Sequence, residues 1–296
     1  MRIVSLVPHA TELLFALELE EEVVGVTHAC DYPWAATELP KVTRSRVAVD
    51  GSAGEIDDAV REATVGGAAL YELDEDRIRD LEPDLIITQE LCTVCAVASD
   101  EVIRFAQTME RPPEVLTLDP HTLGEALGDI RTVAGRTDRK DEGVDLVDEL
   151  AGRIDRVRLA SRGMDKPKVL AIEWLEPLYV GGHWVPQLID YAGGLDLLGM
   201  PGEKSEVVDW EIAAASEPDV VLVMPCGRTA AEAHDEALEH WSRIERLGAT
   251  RVVAVDANAY FSRPGPRLVD GLELLSALLH PTSGIEAPEG SWIEVR

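Results

Sequence analysis

The feature of this sequence that most constrains its fold is a segment that occurs twice. Leu73–Ile87 aligns without a gap with Val208–Leu222, each position displaced by 135. Both copies have an amphipathic stretch, then Glu-Pro-Asp, then a β-branched run. Because the residue before a proline disfavours the α-helical conformation, a helix should end at each Glu-Pro-Asp and a buried strand should follow. Val115–Asp119 recurs later as Val252–Asp256, so the sequence predicts two halves related by duplication.

Short β-branched runs alternate with amphipathic stretches along the whole chain, which is typical of parallel strands joined by crossover helices. The predicted strands are Arg2–Val7, Val23–Thr27, Asp84–Thr88, Val115–Leu118, Lys168–Ile172, Asp219–Met224 and Arg251–Val255. The predicted helices include Ala10–Leu19, Asp74–Leu81, Asp100–Met109, Val185–Ala192, Thr229–Leu247 and Arg267–Leu279. We therefore expect an α/β protein.

The middle of the chain departs from this alternation. No strand is predicted from about residue 121 to residue 164, where apolar residues recur at helical spacing. A long helix preceded by a shorter one is expected there, because about forty residues without a strand exceed what one crossover needs. We therefore expect an N-terminal α/β lobe (1–120), connecting helices (121–166) and a C-terminal α/β lobe (167–296).

The charge of the chain excludes several classes of partner. Its 296 residues include 56 Asp and Glu against 27 Lys and Arg, a formal net charge of −29. Nucleic acid is not expected as a partner, because phosphate binding needs clustered basic side chains. The apolar fraction of 46% is normal for a folded protein. We interpret the acidic excess as the solvated surface of a halophilic protein; the alternative is an ordinary acidic domain.

The sequence as written carries no signal for membrane insertion or export. No run approaches the roughly 18 uninterrupted apolar residues of a membrane span. From Met1 the chain enters a short apolar run directly, without the long hydrophobic segment and cleavage site of a secretory signal. We therefore expect no membrane insertion. The protein would be cytoplasmic as written and extracytoplasmic if a leader has been removed. We also expect a monomer.

Residues suited to binding follow the predicted strands, and ligands of open parallel sheets bind beyond the carboxyl ends of strands. These residues include Pro8, His9, Glu12, Cys30, Tyr32, Trp34, Cys92, Cys95, Trp174, Trp184, Cys226, Phe261 and Arg263. No phosphate-binding glycine loop, nucleophile elbow or dinucleotide fingerprint accompanies them. Trp174 and Trp184 could belong to the core, but two tryptophans in a loop that contains Gly and Pro favour a binding surface.

All four cysteines lie in these loops. Cys92-x-x-Cys95, together with Cys30 in the same half, could ligate a metal such as zinc or cobalt. The Cys92 and Cys95 pair could instead form a redox disulfide, or the thiols could pack without any ligand. The sequence leaves these three interpretations open.

Several segments together resemble the substrate-binding proteins of ABC importers for vitamin B12, haem and iron-siderophores, most closely the cobalamin-binding branch. The segments are Ile3–Leu13, Leu81–Ile86, the central helix and Trp184–Gly194. The resemblance implies two α/β lobes with parallel sheets, joined by a single long helix, with a ligand cleft between the lobes. It also implies a protein that is not an enzyme.

The resemblance further implies which residues form the sites. The positions that would line the cleft are Pro8, Tyr32, Trp174, Trp184, Phe261 and Arg263. Family members also present one acid on each lobe to arginines of the permease. Aligned on the Glu-Pro-Asp turn, these acids are Asp76 and Glu211, which the repeat makes equivalent.

We therefore expect a non-enzymatic binding protein for a corrinoid, such as cobalamin, or a similarly large, flat metal chelate, with an ABC permease as its candidate partner. Broad aromatic faces exclude water from such a ligand at low entropic cost, and no further cofactor is required. The alternative is a cytoplasmic metal enzyme acting on tetrapyrroles. In that case Cys30, Cys92 and Cys95 would hold zinc or iron, and His9 or Glu12 would be the acid–base group.

Overall fold

The computed structural model of the protein describes residues 1–46, 53–65, 70–90 and 97–295. The strands are β1 (Ile3–Ser5), β2 (Val23–Val26), β3 (Thr43–Ser45), β4 (Tyr71–Leu73), β5 (Leu85–Gln89), β6 (Glu114–Leu118), β7 (Lys168–Leu175), β8 (Leu178–Val180), β9 (Leu195–Asp196), β10 (Val220–Val223), β11 (Arg251–Val255) and β12 (Trp292–Glu294). The helices are α1 (Pro8–Ala16), α2 (Trp34–Thr37), α3 (Ala53–Val65), α4 (Glu75–Leu81), α5 (Ser99–Ala106), α6 (Leu123–Arg136), α7 (Lys140–Ala160), α8 (Val185–Tyr191), α9 (Trp210–Ala215), α10 (Ala230–Glu239), α11 (Trp241–Ile244), α12 (Ala257–Tyr260) and α13 (Leu268–Leu279). In the described part of the chain, no helix is long and apolar enough to cross a membrane.

The strands form two main sheets. The first has the order β2-β1-β5-β6, and all its neighbouring strands are parallel. The second has the order β12-β11-β10-β7-β8, with β9 also paired to β7. Its central strands β11, β10 and β7 are parallel, whereas β8 and β12 are antiparallel at its two edges. Strands β3 and β4 form a separate antiparallel pair.

The central strands lie in the hydrophobic core. Every residue of β5 and of β10 is buried, because helices cover both faces of parallel sheets. This burial explains why β10 is a continuous apolar run in the sequence and why β5 begins with three apolar residues, Leu85–Ile87. Every strand predicted from the sequence is present, as β1, β2, β5, β6, β7, β10 and β11.

The repeated segment folds in the same way in both halves. After α4 and after α9 the chain passes through a glutamate with positive φ, 43° at Glu82 and 51° at Glu217. Proline and aspartate follow, and then β5 or β10 begins. The duplication predicted from the sequence therefore has a structural counterpart in each half.

The two helices α6 and α7 occupy the region where the sequence predicts no strand. The chain forms two compact units, Met1–Pro120 with Glu125–Val147 (unit 1) and His121–Gly124 with Asp148–Arg296 (unit 2). Their boundary falls inside α7, whereas the sequence-based division assigns both helices to a separate segment. Each unit contains one of the two main sheets.

Several differences from the sequence-based prediction concern short elements. The single helix predicted over Thr229–Leu247 is divided into α10, α11 and a 3-10 turn at Glu245–Leu247. Strands β3, β4, β8, β9 and β12 were not predicted. Each has only two or three residues, which is too short to show an alternating pattern.

Candidate functional site

In unit 1, the loop after β2 carries two exposed aromatic side chains. Tyr32 is 48% exposed and Trp34 is 77% exposed. The Tyr32–Pro33 peptide bond is cis, and α2 begins at Trp34. Both rings offer apolar surface on which a flat molecule can pack. Trp34 is among the residues that follow the predicted strands, but it is not among the six predicted cleft-lining residues.

Pro8 is the first residue of α1 and is half-buried. It therefore stands directly beyond β1, at the carboxyl edge of the first sheet. His9 and Glu12, the acid–base groups of the enzyme alternative, are only 3% and 4% exposed on the same helix. Neither presents its side chain to solvent.

The thiol of Cys30 lies in a polar, buried environment. The Thr11 hydroxyl donates to Ser5 Oγ at 2.8 Å and lies 3.0 Å from Cys30 Sγ. Cys30 is 4% exposed, which limits its access to reagents in solution.

The metal site predicted at three cysteines stays a prediction. Cys92 and Cys95 lie outside the described residues. Within the ranges that the structure describes, no three His, Cys, Asp or Glu side chains form a group that could hold a metal ion.

A histidine also lies at the end of β2. His28 Nδ1 is 2.7 Å from Thr43 Oγ1, and the His28 backbone N–H donates to the same oxygen at 3.0 Å. Burial, with the Lys41 ammonium as a second cause, lowers the pKa of His28 below its ordinary value. The lowered pKa favours the neutral form of the imidazole.

In unit 2, Trp174 lies near the end of β7 and pairs with Tyr179 of β8. Both side chains are half-buried. The indole N–H of Trp174 is buried and has no hydrogen-bond partner among the described residues. This aromatic pair therefore gives the carboxyl edge of the second sheet a partly accessible apolar surface.

The other two predicted aromatic residues are buried in unit 2. Trp184 and Phe261 are 4% and 3% exposed. The Trp184 indole N–H donates to the backbone oxygen of Phe261 at 2.7 Å. The pair ties the loop before α8 to the segment after α12, and direct ligand contact by either ring stays a prediction.

Two arginines follow β11 in the segment after α12. Arg263 is half-buried and donates to Asn258 Oδ1 at 2.7 Å. The guanidinium carbon of Arg267 lies 5.9 Å from the centre of the Tyr260 ring. Guanidinium groups recognise carboxylates and phosphates through paired hydrogen bonds. Arg267, which was not predicted, therefore joins Arg263 as a candidate for an anionic group of a ligand.

Two acids of unit 2, one on β7 and one on β9, have raised pKa values. The Glu173 carboxylate accepts hydrogen bonds from the Gly182 backbone N–H at 3.3 Å and from the Ser205 hydroxyl. Burial, and to a smaller extent the charge of Asp196, raises the pKa of Glu173 to about 7. Burial also raises the pKa of Asp196. The carboxyl groups are therefore perturbed by removal from water.

The two predicted docking acids lie on equivalent helices. Asp76 is the second residue of α4 and Glu211 is the second residue of α9. Both are exposed, and the side chain of Asp76 makes a 3.4 Å ion pair with Arg79. The repeat thus gives each unit an exposed carboxylate at the second position of the equivalent helix.

An open depression of about 620 Å³ lies elsewhere in unit 2, lined by residues 163–167, Asp219 and residues that end or follow α13. Residues 163–167 precede β7 and Asp219 precedes β10. The depression is therefore at the amino-terminal edge of the sheet, opposite the candidate binding residues.

Sequence comparison identifies relatives along nearly the whole chain. A profile of the periplasmic binding protein family matches residues 3–259. The ABC transporter substrate-binding lipoprotein YvrC of Bacillus subtilis is 23% identical over 95% of this chain and 80% of its own length. A vitamin B12-binding protein of Vibrio cholerae is 21% identical over 94% of this chain and 88% of its own length.

Solved structures share the fold. A periplasmic heme binding protein from Pseudomonas aeruginosa superposes with a TM-score of 0.75 at 20% identity, over 99% of this chain and 97% of its own. The vitamin B12 binding protein BtuF of Vibrio cholerae gives a TM-score of 0.69 at 20% identity, over 96% and 98%. These matches confirm the predicted two-lobed α/β fold class. Because the family profile also spans most of the sequence, the chain belongs to the periplasmic binding protein family.

Proposed function

We propose that this protein binds a large, flat metal chelate, a corrinoid in the first place, and presents it to an ABC permease. The observation that carries the proposal is the set of accessible aromatic side chains at the carboxyl edges of both sheets. Tyr32 and Trp34 are exposed in unit 1, and Trp174 and Tyr179 are half-buried in unit 2. Relatives named for vitamin B12 and heme binding support the same class of ligand.

The chemistry of these residues suits a macrocycle with polar substituents. Aromatic rings bury a large apolar area and lose few rotatable bonds on binding. A small number of polar groups then fixes the orientation of the ligand. Arg263 and Arg267 supply positive charge in a chain whose net charge is −29. They would bind the phosphate of a complete cobalamin or the carboxylates of a haem.

The delivery step rests on Asp76 and Glu211. Both carboxylates are exposed on the first turns of α4 and α9, so each can pair with a basic side chain of a permease. Electrostatic complementarity of this kind steers association and fixes the orientation of the partners. This role requires an extracytoplasmic location, which is part of the proposal.

Substitution of the aromatic residues tests the ligand site. Trp34→Ala and Trp174→Ala should each weaken cyanocobalamin binding by about 1–3 kcal/mol, the range for a large buried apolar side chain. Trp292→Ala is the matched control, because Trp292 lies on β12 and is 37% exposed. Calorimetric titration of the variants measures the change. Equal affinities for the wild type and both site variants would remove these side chains from the binding site.

A further inference from the structure

Strand β7 is irregular at Glu173. The register between β7 and β8 shifts between Ile172 and Trp174, so Glu173 is the extra residue of a bulge. Bulges re-aim side chains and are frequent beside functional sites. Here the carboxylate accepts hydrogen bonds from the Gly182 backbone N–H and the Ser205 hydroxyl. One carboxyl group therefore joins two segments that are distant in sequence.

The second of these segments, residues 199–208, is here called the strap. The His183 N–H donates to the backbone oxygen of Glu203 at 2.5 Å, and the Gly202 N–H donates to the backbone oxygen of His183 at 2.8 Å. The strap is thus bonded to the loop that leads into Trp184 and α8.

The strap and this loop are also in close steric contact. A Cβ atom at Gly182 would lie 2.3 Å from the backbone nitrogen of Ser205, and one at Gly199 would lie 2.4 Å from the backbone oxygen of Gly181. No side chain fits between the two backbones. Displacement of the strap therefore alters the support of the loop that carries His183 and Trp184.

Burial, with the charge of Asp196 as a smaller cause, raises the pKa of Glu173 by more than the hydrogen bonds from Ser205 and Gly182 lower it. Asp196 on β9 is the nearby acid, and it accepts hydrogen bonds from the backbone N–H groups of Leu198 and Gly199. The other titratable or charged residues on the elements packed here include Lys168 on β7, Glu176 between β7 and β8, Tyr179 on β8, His183 in the loop, Asp190 and Tyr191 on α8, Glu203, Lys204 and Glu206 in the strap, and Cys226 and Arg228 after β10. Glu203, Lys204 and Glu206 are exposed, so water screens their charges.

We propose that Glu173 is a positioning residue whose carboxyl group latches the strap onto the loop that carries His183 and Trp184, and that ionisation of Glu173 releases this latch. The neutral acid keeps a carbonyl oxygen for the Gly182 N–H and can exchange a hydrogen bond with the Ser205 hydroxyl. The buried carboxylate gains hydration when the strap opens. The latch therefore acts on the ligand-binding function proposed above, but its opening is a property of the ligand-free protein.

The sign of the pH dependence follows from the raised pKa of Glu173. Because this pKa rises from its ordinary 4.5 to about 7 in the closed structure, closure is fully favoured below about pH 4.5 and weakens as the pH rises to about 7. Above about pH 7 the effect levels off. The equilibrium constant for opening should rise by up to about tenfold per pH unit within this window.

Hydrogen exchange of the ligand-free protein tests the latch. Protection factors, corrected for the intrinsic pH dependence of exchange, are measured for peptides that cover 178–184 and the strap. In the wild type we expect protection to fall at least about tenfold between about pH 5 and about pH 7. Glu173→Gln keeps the shape and the acceptor but cannot ionise, so its protection should stay at the low-pH level. Glu206→Gln, which removes an exposed acid of the strap, should retain the wild-type profile.

Cyanocobalamin titrations over the same pH range add a functional measurement. Affinity should fall from about pH 5 to about pH 7 in the wild type and stay constant in Glu173→Gln. A flat protection profile in the wild type, or an unchanged profile in Glu173→Gln, would overturn the latch. If protection behaves as expected but neither cyanocobalamin nor hemin binds, the latch stands and the proposed ligand class is wrong.

Discussion

Asp84 and Asp219 make the same contact in the two halves of the protein. Asp84 Oδ2 accepts a hydrogen bond from the backbone N–H of Arg2, and Asp219 Oδ2 accepts one from the backbone N–H of Lys168, each at 2.8 Å. Both contacts join the Glu-Pro-Asp turn to the beginning of a neighbouring strand, β1 or β7. The last residue of the repeated turn therefore fixes the start of the central strands in each unit.

Removal of either carboxylate should destabilise its unit. Asp84→Ala and Asp219→Ala should each lower the free energy of unfolding by about 1 kcal/mol, the usual net value of one hydrogen bond. The Asn variants keep an acceptor oxygen and should lose less. Urea unfolding measures the change, with Asp80→Ala, an exposed residue of α4, as the control. Losses no larger than that of the control would show that the contact does not stabilise the turn.

The hydrogen bond between Trp184 and Phe261 predicts a second effect on stability. Trp184→Phe removes the indole N–H and leaves a buried carbonyl oxygen unpaired, which should cost about 1–3 kcal/mol. Trp184→Ala also creates a cavity and should cost about 3–5 kcal/mol. Thermal or urea unfolding distinguishes the two variants, and Trp292→Phe on β12 is the control. A Trp184→Phe variant as stable as the wild type would contradict a structural role for the indole N–H.

Asp129 on α6 should make unit 1 less stable as the pH rises. Burial, then the charges of Asp119 and Glu125, raise the pKa of Asp129 from 3.8 to about 7. Because the pKa of Asp129 is raised in the folded state, the contribution of its neutral carboxyl group to stability is present at low pH and is lost between about pH 4 and about pH 7. Asp129→Asn should therefore raise the melting temperature at about pH 8 and change it little at about pH 4. Asp148→Asn, on the exposed side of α7, is the control and should have no such pH-dependent effect. Equal shifts in melting temperature for Asp129→Asn at both pH values would contradict the raised pKa of Asp129.

The cysteines should differ in reactivity. Cys226 is exposed and Cys30 is buried, so iodoacetamide should label Cys226 at least about tenfold faster in the native protein. If Cys92 and Cys95 hold zinc, added zinc should slow their alkylation and leave that of Cys226 unchanged, because ligation requires thiolates. Mass spectrometry of the labelled peptides measures all four rates. Equal rates for Cys226 and Cys30 would contradict the burial of Cys30, and no effect of zinc would exclude the thiol site.

Stability should increase with salt. The 56 acidic residues outnumber the 27 basic residues, so the acidic side chains repel one another in the compact state. Screening shortens the range of this repulsion to about 3 Å at 1 M salt. Melting temperatures in dilute and molar KCl test the halophilic interpretation. A melting temperature independent of KCl would refute it.

Burial decides how far the sequence could predict the structure. β5 and β10 were predictable because every residue in them is buried, which gives β10 four and β5 its first three residues as uninterrupted apolar runs. Trp174 and Trp184 have similar sequence surroundings, because both follow the strand predicted over Lys168–Ile172. Trp184 is buried because its indole N–H finds a carbonyl oxygen 77 positions away, at Phe261, and no local pattern encodes that partner. The role of Glu173 depends in the same way on a register shift between β7 and β8.

The most direct test of the proposed function is an absorbance titration of the wild-type protein with cyanocobalamin, dicyanocobinamide and hemin in low and molar KCl. We predict saturable binding of one ligand per protein molecule for a corrinoid, with a Kd of about 1 μM or lower, because the accessible aromatic surfaces can bury most of a flat ligand. Saturable binding of hemin alone would keep the class of flat chelates but replace the corrinoid as the ligand. Absence of saturable binding for all three would contradict the proposed function.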